Sequence, residues 1–232
     1  RYGLPGEPDL AWAATVEAAV RTAGGDVALG ATVLGLWLDG GSTLAAVMLP
    51  RPPPRLRLVR PAAVLVCAGG TAVPPAIEDG DRPGVLWGRG LAVALAEHGT
   101  VPGTSAAVLG EGAEAEALAA RLGAAGMEVE QVASATRVLG RARVKGLVRE
   151  DAGRVECDVV AVVAPPAPAT DLARHLGAET FFDPAAGAFA VRADERGRTG
   201  VAGLYAAGEV TGAMGGARAA EAGRRAGEAA RG

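Results

Sequence analysis

Residues 107–132 read AVLGEGAEAEALAARLGAAGMEVEQV, and this stretch decides the fold class. An apolar run, Ala106 to Leu109, enters a turn holding Gly110 and Gly112, with Ala115 where a third small residue is needed. A helical pattern follows, then a second apolar run from Met127. The order is strand, glycine turn, helix, strand. In a βαβ unit that binds a dinucleotide, the first small residue makes the tight turn and the second lets backbone approach a diphosphate. The third lets helix pack on strand, and the helix N-terminus offers unpaired N–H groups and partial positive charge. A βαβ unit whose small residues serve packing alone fits the same letters. Glu111, Glu114 and Glu116 place negative charge in or beside the turn. The position near Ala133, where a ribose-binding acid is expected, holds no carboxylate, and Glu130 is the nearest one.

Outward from this unit, residues 11–23 carry apolar positions at helical spacing and stop at Gly24-Gly25. VALGATVLGLWLD (27–39) and TLAAVML (43–49), separated by Gly40-Gly41-Ser42, predict a β-hairpin. RPPPRLRLV sets a proline break before another strand. In PAAVLVCAGG a buried strand then runs into Ala68, Gly69 and Gly70, small residues that let a backbone or a flat ligand come close. DRPGVLWGRGLAVALAEHG predicts a proline-glycine turn and a helix from about Gly88 to Glu97. Beyond the central unit, short strands are expected near Gln131–Ala133 and Ala142–Arg149, with a turn at Asp151-Ala152-Gly153. The run Cys157–Val163 adds a strand that closes the parallel sheet and exits at Ala164-Pro165-Pro166. TDLARHLGA predicts a short helix capped by Thr170, and Gly215–Arg231 a final Ala-rich helix. Just before that helix, LYAAGEVTG places Gly208 and Glu209 between a strand end and a helix start, where a carboxylate can hold sugar hydroxyls; a solvated loop acid reads equally from the letters.

Composition narrows the function classes. Half of the 232 residues are apolar but only 3% are aromatic, so the core is built from Ala, Val and Leu. A net charge of −3 gives no electrostatic case for nucleic acid or an acidic membrane. No apolar run reaches the roughly 18 residues of a membrane span and no signal pattern opens the chain, so a cytoplasmic protein without membrane insertion is expected. Cys67 and Cys157 form no CxxC pair, and their apolar flanks predict buried, inert thiols. His98 and His175 have no ligand-spaced neighbours, so no metal site is expected. The loop-like opening RYGLPGEPDL reads as part of something longer.

Three stretches taken together, VLVCAGG (64–70) with DRPGV (81–85), VLGEGAEAEALAARLGAAG (108–126) and GLYAAGEVTGAMGGARAAEAGRRAGEAA (203–230), resemble one family in its expected order. They are similar to the two-dinucleotide-binding flavoproteins of the pyridine nucleotide–disulfide oxidoreductase superfamily. Within it the nearest branch holds the sarcosine oxidase alpha subunit, the hydrogen cyanide synthase subunit and the opine and dye-linked proline dehydrogenase subunits. Cys67-Ala68-Gly69-Gly70 stands in the place of the family's Ala-Thr-Gly, with the threonine absent, and Gly208-Glu209 matches the branch that carries Gly-Glu in place of Gly-Asp.

The resemblance implies an α/β fold, with a Rossmann-like parallel sheet of NAD type and the C-terminal part of an FAD-binding domain carrying a β-hairpin addition. The implied divisions are 1–78, a partial FAD-domain segment; 79–168, the NAD-type βαβ domain; and 169–232, the return to the FAD domain. It implies FAD contacts at Ala68, Gly69, Gly70, Gly208 and Glu209, and an NAD-type site at Gly110, Gly112 and Ala115. The glutamates and Ala133 leave that second site open to weak NAD binding, another adenine nucleotide, or no ligand. The implied chemistry is oxidation of a small secondary amine or amino acid by hydride transfer to FAD. An NAD(P)H-dependent flavoprotein reductase and a non-catalytic nucleotide-binding or assembly domain remain as alternatives. Because no GxGxxG precedes Ala106, the flavin diphosphate is expected to be gripped by an N-terminal segment or subunit outside this chain, with an oxidase or dehydrogenase partner subunit beside it. No catalytic acid or base is identified.

Overall fold

A computed structural model describes residues 10–50, 52–73 and 75–231. Apart from Leu10, the opening stretch RYGLPGEPDL lies outside them. The chain divides into two compact units, one spanning Ala72–Ala164 and the other combining Ala11–Thr71 with the stretch from Pro165 onward.

In chain order the second unit begins within α1 (Leu10–Thr22), at Ala11, followed by β1 (Thr32–Asp39) and β2 (Ser42–Leu49), the hairpin expected from the glycine turn. β3 (Arg55–Val59) joins them antiparallel in the order β1-β2-β3. β4 (Val64–Val66) and the two-residue β5 (Gly70–Thr71) end this segment.

The first unit follows. β6 (Val85–Trp87), α2 (Gly88–His98), β7 (Ser105–Leu109), α3 (Ala113–Ala124) and β8 (Glu128–Val132) build the parallel layer. β9 (Ala135–Gly140), β10 (Val144–Arg149) and β11 (Arg154–Val155) form an antiparallel sheet, and β12 (Val159–Val162) returns to the parallel one. The parallel order is β6-β12-β7-β8. β12 therefore lies inside the sheet and does not close its edge; its four residues are all buried, which is the pattern of a strand covered on both faces. On one face Leu91 and Ala92 of α2 pack with Ala115, Leu118 and Leu122 of α3 against Val108 and Val159. On the other, Val138, Val144 and Leu147 pack against Leu109, Val160 and Val162. Two short strands depart from the sequence reading. β6 precedes the α2 helix where only a turn was expected, and β9 starts at Ala135, because β8 runs through Val132 in register with Leu109.

The second unit resumes with β13 (Ala167–Pro168), α4 (Asp171–His175), β14 (Thr180–Asp183), β15 (Ala188–Val191), β16 (Leu204–Ala206), a 3-10 turn at Gly208–Thr211, and α5 (Gly216–Ala229). β5 pairs with β13, β14 with β15, and β16 with β4. The expected Thr170 cap does not form. Thr170 precedes α4 but has αR backbone angles and makes no side-chain cap hydrogen bond, so its hydroxyl is not aimed at the first-turn N–H groups. No described helix is long and apolar enough to cross a membrane.

The entry to β7 is pinned by one acid. The Asp158 carboxylate accepts from Thr104 N at 2.9 Å, Thr104 Oγ1 at 3.0 Å and Ser105 N at 3.0 Å. Burial opposes ionisation of Asp158, but the hydrogen bonds from Thr104 and Ser105 outweigh it and hold the carboxyl below its ordinary range. A depressed folded pKa means that the stability this group supplies is present above about pH 4 and lost as pH falls through the folded value. Asp158→Asn is expected to cost about 1–2 kcal/mol at neutral pH and to flatten the acid limb of stability, read from urea midpoints between about pH 3 and pH 7.

Candidate functional site

Two glycine-lined loops carry the candidate residues, one in each unit. In the second unit β4 and β16 run parallel, with Val64 opposite Leu204 and Val66 opposite Ala206. Parallel neighbours finish at the same end of the sheet, so the loops after Val66 and Ala206 leave side by side, and the Ala207 N–H donates to the Val66 carbonyl at 3.0 Å. This brings Gly69 and Glu209 together. A β-carbon added to Gly69 would lie 3.9 Å from Glu209 Oε2, with no other atom within 4 Å beyond its chain neighbours, and Gly69 has φ +66°. Gly208, at φ +82°, opens the 3-10 turn, which Thr211 Oγ1 ties back by donating to the Gly208 carbonyl at 2.8 Å. Ala68 is exposed.

Gly70 differs from its neighbour. An added β-carbon would meet Pro166 Cβ at 2.7 Å and Ala167 O at 2.9 Å, so its smallness serves the β5–β13 crossing.

Cys67 is exposed, contrary to the buried thiol expected, because β4 stops at Val66 and leaves Cys67 as the first loop residue. Partial desolvation pushes its thiol pKa up despite a backbone hydrogen bond from Ala207, so it is a protonated thiol near neutral pH. Cys157 is buried as expected, and desolvation also raises its pKa.

One residue of this site escaped the sequence reading. Asp183, at the end of β14, accepts from Ala213 N at 2.8 Å and Ala185 N at 3.0 Å, and those backbone bonds hold its carboxyl below the ordinary range. It anchors the approach to α5, and a β-carbon on Gly212 would come 2.7 Å from Asp183 Oδ2. The Asp-Pro pair at 183–184 marks a turn, but nothing local points to a partner thirty residues on.

In the first unit the three small residues have separable roles. Gly110 has φ +139°, and an added β-carbon would fall 2.1 Å from the Val163 carbonyl oxygen, so it makes the tight turn against the exit of β12. Gly112 has φ +84° and nothing within 4 Å; it stands at the N-cap of α3 with no side-chain cap, leaving the helix end open to approach. Ala115 is fully buried in the helix-side core.

Of the nearby acids, Glu114 accepts from Arg89 Nε at 2.9 Å and Nη2 at 3.3 Å, which offsets part of the negative charge at the turn. Glu130 accepts from Arg149 Nη1 at 3.0 Å in an exposed pair. β8 ends at Val132 without a carboxylate. His175 Nδ1 accepts from the Leu36 N–H at 3.4 Å and its ring stacks on Trp37, which gives it a structural contact. No group of three or more potential metal ligands lies together among the described residues.

A model of the pyridine nucleotide-disulphide oxidoreductase family matches residues 63–227, which include both glycine loops. The chain belongs to this family. Solved structures of similar fold include L-proline dehydrogenase from P. horikoshii, with TM-score 0.68 and 20% identity over 84% of this chain and 40% of that one. A NAD-dependent persulfide reductase from A. fulgidus matches with TM-score 0.69 and 17% identity over 93% and 47%. Thioredoxin reductase from T. acidophilum matches with TM-score 0.69 and 16% identity over 99% and 83%. At these identities the likeness establishes the fold alone. The chain spans less than half the length of the first two. No protein of curated function matches the chain significantly in sequence. The family is one of flavin-dependent oxidoreductases with pyridine nucleotide involvement, and its α/β fold with a Rossmann-like parallel sheet is the one seen here.

Proposed function

We propose that this chain is a domain or subunit of an FAD-dependent oxidoreductase that oxidises a small secondary amine or amino acid. Its nearest kin in this reading are the sarcosine oxidase alpha, hydrogen cyanide synthase and opine or dye-linked proline dehydrogenase subunits. The observation that carries the flavin part is the meeting of Gly69 and Glu209 at the shared end of β4 and β16. The residues fit the cofactor. Glu209 Oε2 is the one atom beyond its chain neighbours that comes within 4 Å of where a Gly69 side chain would start, and this acid can accept from sugar hydroxyls. Ala68 and Gly69 would lie against the flavin, Gly208 and Glu209 would hold its sugar, and the uncapped N-terminus of α5 would face phosphate. When bound, the flavin supplies the hydride acceptor. Gly110, Gly112 and Ala115 would form a second nucleotide site of NAD type.

The amine reading rests on the Gly208-Glu209 pair of that branch and is supported by the likeness to an L-proline dehydrogenase. A partner that completes the flavin site is supported by exposed apolar side chains, Val16 and Val20 on α1 and Leu56 and Leu58 on β3. The division proposed is 1–78 and 169–232 for the FAD part and 79–168 for the NAD-type part.

Anaerobic mixing of the FAD-loaded protein, reconstituted with the segment or subunit that completes its flavin site, with L-proline, sarcosine or NADH tests it, read as loss of absorbance near about 450 nm. Bleaching by an amine is the expected result. Bleaching by NADH alone would replace this reading with an NAD(P)H-dependent reductase, for which the open Gly112 turn is the supporting feature. Failure to take up FAD with the completing segment or subunit present would remove both.

A further inference from the structure

The parallel sheet of the first unit carries a cavity that neither glycine loop accounts for. It holds about 340 Å³ and is lined by Ala72, Val73, Pro75, Val85, Trp87 and Val162, with Gly80 and Asp81 at its polar side. Trp87 and Val162 are the last residues of β6 and β12 and are register partners, so the cavity opens at the carboxyl end of the strands. That is where ligands of open α/β sheets bind. The volume is at the low end for small-molecule sites, which run from about 300 to 1,000 Å³.

Its charge is what selects a ligand. The 75–80 segment is tightly turned, with Ile77 N donating to the Pro75 carbonyl at 2.9 Å and Gly80 N to the Ile77 carbonyl at 3.1 Å, and it delivers Asp81 to the cavity. The neighbouring cations are committed elsewhere. Arg82 pairs with Asp79 at 2.6 Å and donates to the Arg141 carbonyl at 3.0 Å, while Arg137 pairs with Asp79 at 3.2 Å and Glu78 at 3.5 Å. Asp81 has no hydrogen-bond or ion-pair partner among the described residues. An indole, aliphatic walls and one uncompensated carboxylate suit a cation that is itself mostly hydrocarbon. A hydrated inorganic cation needs several oxygen ligands that this lining lacks, and a carboxylate or phosphate would meet Asp81 as a like charge.

We propose that this cavity is a binding site for a small organic ammonium ion, held by the Asp81 carboxylate and the Trp87 ring. No residue of the Gly110–Ala115 turn lines the cavity, and the proposal does not depend on flavin binding.

Calorimetric titration of the chain with choline, and with the neutral isostere in which carbon replaces the quaternary nitrogen, tests it. Choline is expected to bind saturably, about tenfold or more tighter than the isostere. Asp81→Asn, at an exposed position where the fold is not at stake, should weaken choline by about five- to tenfold, and Gly112→Ala should leave it unchanged. The proposal is overturned by an absence of saturable choline binding, by equal binding of the isostere, or by an Asp81→Asn variant that binds choline as the parent does.

Discussion

Gly110→Ala will destabilise the Ala72–Ala164 unit by about 3 kcal/mol or more, enough to leave much of it unfolded under mild conditions if its stability is typical of a small domain. Two costs act together. The backbone at φ +139° is one that L side chains rarely adopt, worth about 1–3 kcal/mol. The new methyl would also sit 2.1 Å from the Val163 carbonyl oxygen, and the obstacle is backbone at the exit of a central strand, which cannot rotate away as a side chain could. Gly112→Ala isolates the first cost. Its φ is +84° with no atom within 4 Å, so a loss of about 1–2 kcal/mol is expected. Gly90→Ala, inside α2 with open space and no strained φ, should stabilise by about 0.5–1 kcal/mol. Urea unfolding followed by circular dichroism ranks the three. Equal losses at Gly110 and Gly112 would show that the approach to Val163 is not what requires a glycine at the turn.

The same contrast explains what could be read from the chain unaided. The β7–α3–β8 unit was legible because its signals are local, namely an apolar run, two glycines, a helical period and a second run. So was the β1–β2 hairpin, whose Gly40-Gly41 turn has φ +59° and +80°. What failed was set by partners distant in sequence. β6 is three residues long and counts as a strand only because β12, some seventy residues later, pairs with it. The place of β12 inside the sheet is likewise a property of three strands together. Cys67 was misread by a single residue, since apolar neighbours cannot say whether a strand stops at Val66 or Cys67. Glu130 stood at a plausible distance from the glycine turn, but the β7–β8 register puts it opposite Ala107, short of the strand end and within reach of Arg149. Asp183 was invisible for the same reason: its hydrogen bond to Ala213 closes a loop of thirty residues that no spacing rule describes.

Glu209→Ala will weaken FAD binding by about 10- to 100-fold if Glu209 has the role proposed for it, the loss expected when a charged acceptor is removed from sugar hydroxyls. The effect is predicted to be large because little else in this loop can take over. Gly69, on which an added β-carbon would lie 3.9 Å from Glu209 Oε2, has no side chain, and the Thr211 hydroxyl is already spent on the Gly208 carbonyl at 2.8 Å. Glu209→Gln keeps an oxygen acceptor without the charge and should fall between the parent and Glu209→Ala. Quenching of FAD fluorescence on titration with protein measures all three, with riboflavin as a comparison that lacks the adenylate part. Both variants should keep the parent's far-ultraviolet circular dichroism and cooperative urea transition, since a partly exposed loop acid contributes little to the core. If the alanine variant bound FAD as tightly as the parent, the shared end of β4 and β16 would not be the sugar-binding edge of a flavin site, whatever its geometry suggests.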